Sequence, residues 1–338
     1  MSRRRVLLLS PAFHRYWQSI ARGLELVGFD VVPHVYDDHR GVGAKIRNKA
    51  LYELPGRLHL DAGERLQAHA ATAAARAALR DHAPDLVLAI RSDLFHDDLW
   101  DDIDDRGVPC VLWLYDELRR MRHPVERLQR FARVATYSRL DQDALAAQGV
   151  DATYLANAFD PTMVPAGTPA PVPAIVFVGA RYPGRERTLT ALHGRGVAVR
   201  AYGRQWSHHP FDRARTWKWR RPDVPASRDV SREEAYAIMG GAAATVNLHE
   251  NQDGFTMRTF EACGVGALQL IDRADVAELY EPEEEIVPFS TQDELEDLCR
   301  RALADPAWGR RIGAAAQRRT LAQHTFGHRV RELTAPWV

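Results

Sequence analysis

A polar loop followed by a helix near residue 250 carries residue types that bind phosphate. The apolar run Ala242–Leu248 leads into this loop, and Arg258, Thr259 and Glu261 then enter an apolar helix. A strand, a loop and a helix N-terminus in this order present free backbone N–H groups and a positive helix end to an anion. Arg258 can hold phosphate through two hydrogen bonds, and the Glu261 carboxylate can accept from sugar hydroxyls. The same two residues, three apart, could instead form an ion pair on a helix surface.

Two arginines follow the first predicted strand of the second half of the chain. That strand covers residues 175–178, and Arg181 and Arg187 come after it. Either guanidinium could neutralise a leaving diphosphate, which needs positive charge as it departs. Alternatively, one or both arginines are solvated surface residues.

An aromatic pair flanks a glycine after the next predicted strand, at 197–201. Tyr202 and Trp206 offer a flat apolar platform, and Gly203 lets a ring approach the backbone closely. The two aromatic side chains could equally pack between domains. The other loop positions that we expect at the same ligand are Gly179, Asn247, Asp253 and Thr256.

Three residues in the first half of the chain are candidates for a catalytic base. His14 follows the first predicted strand, and an imidazole that titrates near neutral pH can take a proton from an acceptor hydroxyl. Asp93 and Asp116 also follow predicted strands and compete for this role. Because aromatic residues surround His14 in the sequence, it could instead belong to an aromatic substrate wall.

The elements that position these residues alternate between strand and helix. This alternation predicts an α/β protein with parallel sheets and right-handed crossovers, whose ligands lie at the carboxyl ends of the strands. The predicted strands of the first half are 6–10, 31–35, 85–90, 108–114, 133–137 and 151–155. Those of the second half are 175–178, 197–201, 245–248 and 267–271.

A proline-rich stretch at 161–174 divides this pattern and predicts a linker. We therefore expect an N-terminal Rossmann-like domain at 1–160 and a C-terminal Rossmann-like domain at 175–325. A last helix, at 326–338, is expected to cross back to the N-terminal domain. Two Rossmann-like domains of this kind would face a central cleft.

The charge balance argues against a nucleic-acid partner, and the spacing of the acidic residues argues against a metal site. Lys+Arg and Asp+Glu number 45 each in 338 residues, so no overall basic field exists. The segment 206–222 mixes aromatic residues with arginines, as nucleic-acid binders do, but at zero net charge a lid or an acceptor-side loop is the preferred interpretation. Acidic residues at 97–105 include a D-x-D spacing, but they alternate with apolar residues at helical spacing and predict a solvated helix face.

The cysteines and the apolar runs indicate the compartment. Cys110, Cys263 and Cys299 have neither disulfide nor metal spacing, which is typical of a reducing environment. The apolar run after the first five residues is too short for a signal peptide or a membrane span. We expect a cytoplasmic protein with no integral membrane segment.

Several of these stretches resemble the CgeB-like glycosyltransferases, which are group-1-type enzymes of the GT-B fold. In the second half the resemblance is carried by VFVGARYPGRERTLTAL and VNLHENQDGFTMRTFEACGVGALQL, and its strongest motif is RTFEACG at 258–264. In the first half it is carried by FHRYWQSIARGLELVGFDVV and WLYDELRRM. The resemblance covers nearly the whole chain.

This resemblance implies a metal-independent, hexosyltransferase-type enzyme with no cofactor beyond its nucleotide-sugar co-substrate, a UDP- or dTDP-sugar. The donor would bind the C-terminal domain and the acceptor the N-terminal domain. The acceptor, a small molecule, a peptide or a glycan, would offer a hydroxyl or an amine. Glu261 matches the second Glu of the family's E-x7-E motif, which binds the donor ribose, while Asp253 stands where relatives carry the first Glu. Arg181 and Arg187 stand where relatives place an Arg and a Lys on the diphosphate, and the two cations present charge differently.

The departure at Asp253 leaves the stereochemical outcome open between retention and inversion. His14 would act as the base in an inverting enzyme, whereas a retaining mechanism requires no such base. Two alternatives remain: a GT-B-like protein that binds a nucleotide or a glycan without transfer, and a sugar-nucleotide epimerase or hydrolase on the same fold.

Overall fold

Strands and helices alternate through residues 3–37 and 62–338, the part of the chain that the computed structural model describes. Within these ranges the strands form two six-stranded sheets, and the neighbours in both sheets run parallel. The predicted α/β class with parallel sheets is therefore confirmed.

The first sheet has the strand order β2-β1-β3-β4-β5-β6. Its strands are β1 Arg5–Ser10, β2 Asp30–Val35, β3 Leu86–Ile90, β4 Cys110–Trp113, β5 Arg133–Thr136 and β6 Ala152–Tyr154. The helices between them are α1 Tyr16–Leu26, α2 Ala62–His82, α3 Asp97–Asp105, α4 Val125–Leu128 and α5 Arg139–Ala146. Short 3₁₀ turns at Phe13–Arg15 and Leu118–Arg120 follow β1 and β4.

The second sheet has the strand order β12-β11-β10-β7-β8-β9. Its strands are β7 Val172–Val178, β8 Val199–Tyr202, β9 Ala226–Ser227, β10 Ala242–Asn247, β11 Gln269–Ile271 and β12 Val287–Pro288. Its helices are α6 Pro183–Gly194, α7 Pro210–Thr216, α8 Arg232–Gly241, α9 Met257–Gly264, α10 Gln292–Ala304 and α11 Pro306–Gln323. The chain then continues into α12, Phe326–Thr334.

Burial on both faces explains why the central strands read as unbroken apolar runs. Strand β1 is buried from Val6 to Ser10, and β3 is buried along its whole length. Helices cover both faces of such a sheet, so these strands have no solvent side that would demand alternating polar residues. The paired register, with Val6 opposite Leu86 and Leu9 opposite Ala89, forms the centre of the first core.

The described residues group into two compact units. The first unit is Met1–Ala156 together with Phe326–Val338, and the second is Asn157–Thr325. Helix α12 packs against α1 in the first unit, where Gly23 is needed because a Cβ there would lie 3.2 Å from the Phe326 carbonyl. The proline-rich stretch 161–174 lies inside the second unit, and β7 begins within it at Val172, three residues earlier than predicted.

Each sheet has one point where the direction of strand addition reverses. In the first sheet it lies between β1 and β3, and in the second it lies between β7 and β10. Parallel sheets bind ligands at the carboxyl edge beside such a switch point, because the loops on its two sides diverge and leave a crevice. The loops after these four strands are therefore where candidate functional residues belong.

The acidic stretch 97–105 forms helix α3, whose buried face consists of Leu99, Trp100 and Ile103. Its carboxylates pair with arginines: Asp102 with Arg76 at 2.6 Å, and Asp101 and Asp104 with Arg130 at 2.7 Å each. The hydrogen bond from Arg76 lowers the pKa of Asp102. The predicted amphipathic helix is thus present, with its acidic face neutralised by neighbouring arginines.

Gly264, at the end of α9, allows that helix to approach the core of the second unit. A Cβ at this position would collide with the ring of Phe159, which is fully buried. We expect Gly264→Ala to lower the free energy of unfolding by about 1–3 kcal/mol through overpacking. Gly194→Ala is the matched control, since nothing lies within 4 Å of a Cβ at that helix end. Equal midpoints for the two variants in urea titrations would contradict this account.

Candidate functional site

Arg185, near the start of α6, spans the switch point of the second sheet. Its Nε donates to the Leu248 carbonyl at 2.8 Å, and its Nη2 donates to Gln252 Oε1 at 3.1 Å, both after β10. Its Nη1 donates to the Ala180 carbonyl at 3.2 Å, after β7. Arg185 is 8% exposed, and burial lowers the pKa of its guanidinium. One buried cation thus joins the loops on the two sides of the switch point.

Glu250 closes the same arrangement from the loop after β10. Its Oε1 accepts from the Arg185 backbone N–H at 2.6 Å, in the first turn of α6. A carboxylate is stabilised there by the positive end of the helix. Gly184 makes this approach possible, because a Cβ there would collide with the carboxylate. Glu250 itself adopts the left-handed conformation, with φ of 58°, which is uncommon for a residue other than glycine.

His249 lies next to this loop and is held by Asp272. Its Nδ1 lies 2.7 Å from Asp272 Oδ1, and its backbone N–H donates to Oδ2 at 2.8 Å. This geometry fits an Nδ1–H donor, which leaves Nε2 as an acceptor. Nε2 is buried and has no hydrogen-bond partner within the described residues. The dyad therefore carries one unused acceptor at the carboxyl end of β10.

Arg258 and Glu261 form the ion pair that their spacing allows, but the pair is not on the helix surface. Arg258 Nη1 donates to Glu261 Oε2 at 2.7 Å, and Glu261 is 0% exposed. The Tyr236 hydroxyl donates to the other carboxylate oxygen at 3.4 Å. A buried carboxylate requires such partners, because desolvation is costly. The Arg258 side chain keeps about a quarter of its surface exposed, at 25%.

Helix α9, which carries this pair, begins at Met257 without a side-chain cap. The N-cap residue Thr256 makes no capping hydrogen bond. The start of a helix carries partial positive charge, so this end of α9 suits an anionic ligand. Asp253 lies half-buried in the preceding loop, where its carbonyl accepts from Arg273 Nη1 at 3.1 Å.

Asn247 and Thr259, both predicted to bind the donor, cross-link buried elements instead. Asn247 Nδ2 donates to Thr259 Oγ1 at 3.0 Å and to Gln269 Oε1 at 2.8 Å. Gln269 Nε2 in turn donates to the Thr259 carbonyl at 2.9 Å. These groups satisfy one another inside the sheet–helix packing, and a role for them in donor binding stays a prediction.

The predicted arginine pair occupies surroundings other than those expected. Arg181 Nε donates to Glu186 at 2.8 Å, and its Nη1 donates to the Arg220 carbonyl at 3.0 Å. Arg187 is exposed on α6. The buried arginine that reaches both loops is Arg185, which the sequence interpretation passed over.

Trp206 is a core residue, as in the packing alternative, and a contact with the donor stays a prediction. It is fully buried beside Phe177, and its Nε1 donates to the Gly179 carbonyl at 3.0 Å. Gly203 has φ of 151°, and a Cβ there would lie 2.7 Å from that same carbonyl. Tyr202 is also buried, and its carbonyl accepts from the Gly179 N–H at 3.1 Å. These four predicted residues therefore shape the loop after β7 by packing.

In the first unit, one arginine holds both candidate carboxylates. Arg91 Nε donates to Asp93 at 3.1 Å, and its Nη1 donates to Asp116 at 3.1 Å. Arg91 is itself left-handed, with φ of 60°, directly after β3.

His14 lies in the 3₁₀ turn after β1, on the other side of the same switch point. It is exposed, its φ is 44°, and the Phe13 ring lies edge-on with centroids 4.4 Å apart. The structure therefore places an imidazole and a paired Arg–carboxylate cluster at the carboxyl ends of β1, β3 and β4. Both observations agree with the positional argument from the sequence.

The three cysteine thiols are buried and unpaired. Cys110, Cys263 and Cys299 are free and buried. Burial raises the pKa of the Cys263 and Cys299 thiols to about 12, so neither is a ready nucleophile. No helix in the described residues is long and apolar enough to cross a membrane.

The likeness of this fold to solved structures covers nearly the whole chain. Sucrose-phosphate synthase from Thermosynechococcus elongatus matches with a TM-score of 0.67 at 13% identity, over 99% of each chain. HepE from Anabaena, in complex with UDP, matches with a TM-score of 0.64 at 14% identity, over 99% of this chain and all of that one. The protein therefore has the GT-B fold, as predicted.

The chain was also compared with protein families, with another solved structure and with curated sequences. Residues 185–335 match the family described as glycosyl transferase-like. The structure of an epimerase described as acting on UDP-N-acetylglucosamine, from Listeria monocytogenes, matches with a TM-score of 0.58 at 11% identity, over 99% of this chain and 96% of that one. No curated protein sequence matches the chain.

Arg185 can be tested against a neighbour on the same helix. We expect Arg185→Ala to lower the free energy of unfolding by roughly 2–4 kcal/mol, because it leaves the Leu248 and Ala180 carbonyls without their buried charged donor. Arg187→Ala should change it by less than about 0.5 kcal/mol, since that residue is exposed. Chemical denaturation of both variants measures the difference. Similar losses would show that Arg185 does not hold the loops.

Proposed function

We propose that this protein is a glycosyltransferase that moves a sugar from a nucleotide-sugar donor to a hydroxyl or an amine. One observation carries the proposal: the stretch that matches the glycosyl transferase-like family, 185–335, contains the loop after β10 and helix α9 with its Arg258–Glu261 pair. It begins at Arg185, the residue that joins both loops of the switch point. The RTFEACG motif at 258–264 supports placement among the CgeB-like enzymes.

In this proposal the donor diphosphate lies at the start of α9, near Thr256 and Arg258. The helix dipole supplies positive potential there, and the partly exposed guanidinium adds charge. The HepE complexes with UDP and with UDP-glucose support a donor of this class. Glu261 would reach the ribose only through an exchange of partners, since Arg258 and Tyr236 now occupy it.

Arg185 and Glu250 act as positioning residues in this scheme. Their contacts fix the loops after β7 and β10 relative to α6. The buried His249 Nε2 is an acceptor that a donor hydroxyl could use after a small movement of this loop. The site would thus combine a fixed frame with one unused acceptor.

The leaving diphosphate needs positive charge, and the protein supplies it without a metal in this proposal. The end of α9 and Arg258 would stabilise the departing oxygens, and no cofactor besides the donor is required. We infer a hexosyl donor carrying UDP or dTDP, and a small-molecule, peptide or glycan acceptor bound by the first unit. Three free cysteines support a reducing compartment and therefore a cytoplasmic location.

His14 is the base that we propose if the reaction inverts configuration. Its competitors Asp93 and Asp116 are both held by Arg91, whereas the His14 ring is exposed after β1. A retaining reaction would need no such base.

An epimerase or hydrolase is the second candidate, because the likeness to the Listeria monocytogenes structure also covers nearly the whole chain. Incubation with a labelled donor separates the two. A transferase moves the label to the acceptor, whereas an epimerase returns a changed nucleotide-sugar and a hydrolase releases free sugar. Donor binding with no turnover would favour a binding protein instead.

The donor site predicts that nucleoside diphosphates stabilise the protein. At about 100 times its dissociation constant, UDP or dTDP should add roughly 2.7 kcal/mol to the free energy of unfolding. A thermal-shift panel of UDP, dTDP and GDP, confirmed by calorimetry, measures this. If none of them stabilises the protein, the donor assignment fails.

Arg258→Lys tests the guanidinium while keeping a cation beside the buried Glu261. Since Lys cannot present a planar pair of donors, nucleotide affinity should fall about tenfold. The fold should survive, because Glu261 keeps a positive partner. Arg310→Lys, on the exposed face of α11, should leave the affinity unchanged. Unchanged calorimetric affinity in Arg258→Lys would return Arg258 to a purely structural role.

For an inverting enzyme, His14→Ala should lower kcat by about 10²-fold or more while donor affinity stays the same. Phe13→Ala is the matched control, because it removes the adjacent exposed ring and leaves the imidazole. Transfer kinetics together with donor titrations measure both quantities. Near-normal turnover of His14→Ala would dismiss this residue as the base.

A further inference from the structure

A basic aromatic segment, residues 208–221 of the second unit, displays large aromatic side chains to solvent. The exposed fractions are 57% for Phe211, 70% for Trp217 and 63% for Trp219. Four other tryptophans are buried, namely Trp100, Trp113, Trp206 and Trp308. Clustered exposure of large apolar side chains marks an interaction surface in a folded protein.

The same segment concentrates positive charge. Its cations are Arg213, Arg215, Lys218, Arg220 and Arg221. Its one carboxylate, Asp212, is buried and already paired with Arg228 at 2.9 Å. Within the described residues, no carboxylate lies within ion-pair distance of the side chains of Arg215, Lys218 and Arg220, although Asp223 follows nearby in sequence. The segment therefore presents uncompensated cations around its aromatic side chains.

Partly buried contacts beneath the segment hold this display in place. Arg221 Nε donates to the Ser207 carbonyl at 2.8 Å, and its Nη2 donates to Thr216 Oγ1 at 2.9 Å. Burial lowers the pKa of Arg221, and the charges of Arg181 and Arg213 lower it further. The short helix α7 ends at Thr216, and the C-cap residue Trp217, with φ of 53°, turns the chain in the left-handed region. An anchored base and a strained turn thus expose the two tryptophans.

We propose that the basic aromatic segment binds the surface of an anionic lipid bilayer. Tryptophan has an apolar body and one N–H donor, so it partitions to the headgroup level of a membrane. Lysine and arginine beside it are attracted by anionic headgroups, and this combination is typical of proteins that lie on a membrane. The proposal does not depend on sugar transfer, because its observations lie outside the switch-point loops.

Charge distribution favours a bilayer over a nucleic acid. The chain has zero formal net charge, so it lacks the long-range basic field that steers proteins to nucleic acid. A bilayer needs only a local basic patch with aromatic side chains that insert at short range. The surface therefore fits a peripheral contact with phospholipid.

Vesicle sedimentation with the full-length chain tests the proposal. The protein should sediment with vesicles of phosphatidylcholine mixed with phosphatidylglycerol, and much less with phosphatidylcholine alone. Raising the salt from about 0.1 M to about 1 M should weaken the binding, because the screening length falls from about 10 Å to about 3 Å. Failure to bind the anionic vesicles at low salt would overturn the proposal.

Two sets of substitutions separate the aromatic and basic contributions. Trp217→Ala with Trp219→Ala, and separately Lys218→Glu with Arg220→Glu, should each lower the vesicle partition coefficient by about tenfold or more. All four residues are exposed, so thermal midpoints should stay within a few degrees of the parent protein.

A matched control and a competing ligand complete the test. Arg310→Glu with Arg311→Glu makes the same change of charge on the exposed face of α11 and should retain vesicle binding. An equal loss in this control would reduce the effect to overall charge and overturn the proposal. Tighter binding of a single-stranded oligonucleotide than of the anionic vesicles, lost in the same segment variants, would assign the surface to nucleic acid instead.

Discussion

The candidate donor site depends on one buried guanidinium. Strand ends leave carbonyl groups that must find donors, and the loops after β7 and β10 leave theirs side by side at the switch point. The planar guanidinium of Arg185 donates hydrogen bonds to carbonyls of both loops. The cost of burying its charge is offset by these carbonyls, by the Gln252 side-chain amide and by the nearby Glu250 carboxylate. Gly184 is the small residue that lets this carboxylate approach. A change in any of these partners would move the loop that leads into α9, and with it the residues proposed to meet the donor.

Both units repeat one local device at their switch points. His14 after β1, Arg91 after β3 and Glu250 after β10 all adopt the left-handed backbone conformation that residues other than glycine avoid. Such conformations cost free energy and persist where the surrounding structure enforces them, which is common at functional sites. In the second unit the enforcing contact is the hydrogen bond from the Arg185 backbone N–H, in the first turn of α6, to the Glu250 carboxylate. In the first unit it is the pairing of Arg91 with two aspartates. The two halves thus converge on the same way of aiming polar side chains.

Sequence patterns predicted the strands and the positions of the loops, because buried parallel strands are apolar on both faces and ligand loops follow them. They did not predict which side chain on a loop faces which neighbour. Arg181 and Arg185 are equivalent in sequence terms, yet the carbonyl that selects Arg185 belongs to Leu248, 63 residues away. Trp206 was ambiguous for the same reason, since only the three-dimensional core shows that Phe177 covers it. The strands β9 and β12 were missed because two residues each are too few to form a pattern.

The strand order of the second sheet also governs when its site can form. Strand β7 pairs with β10, and β8, β9 and the helices between them lie between the two strands in the sequence. The pairing therefore closes a loop of many residues. Loop closure over such a separation costs chain entropy before any contact repays it. Arg185 cannot reach Leu248 until β7 and β10 lie side by side. A second unit in which these two strands are unpaired would therefore lack the contacts that hold the loops proposed to bind the nucleotide.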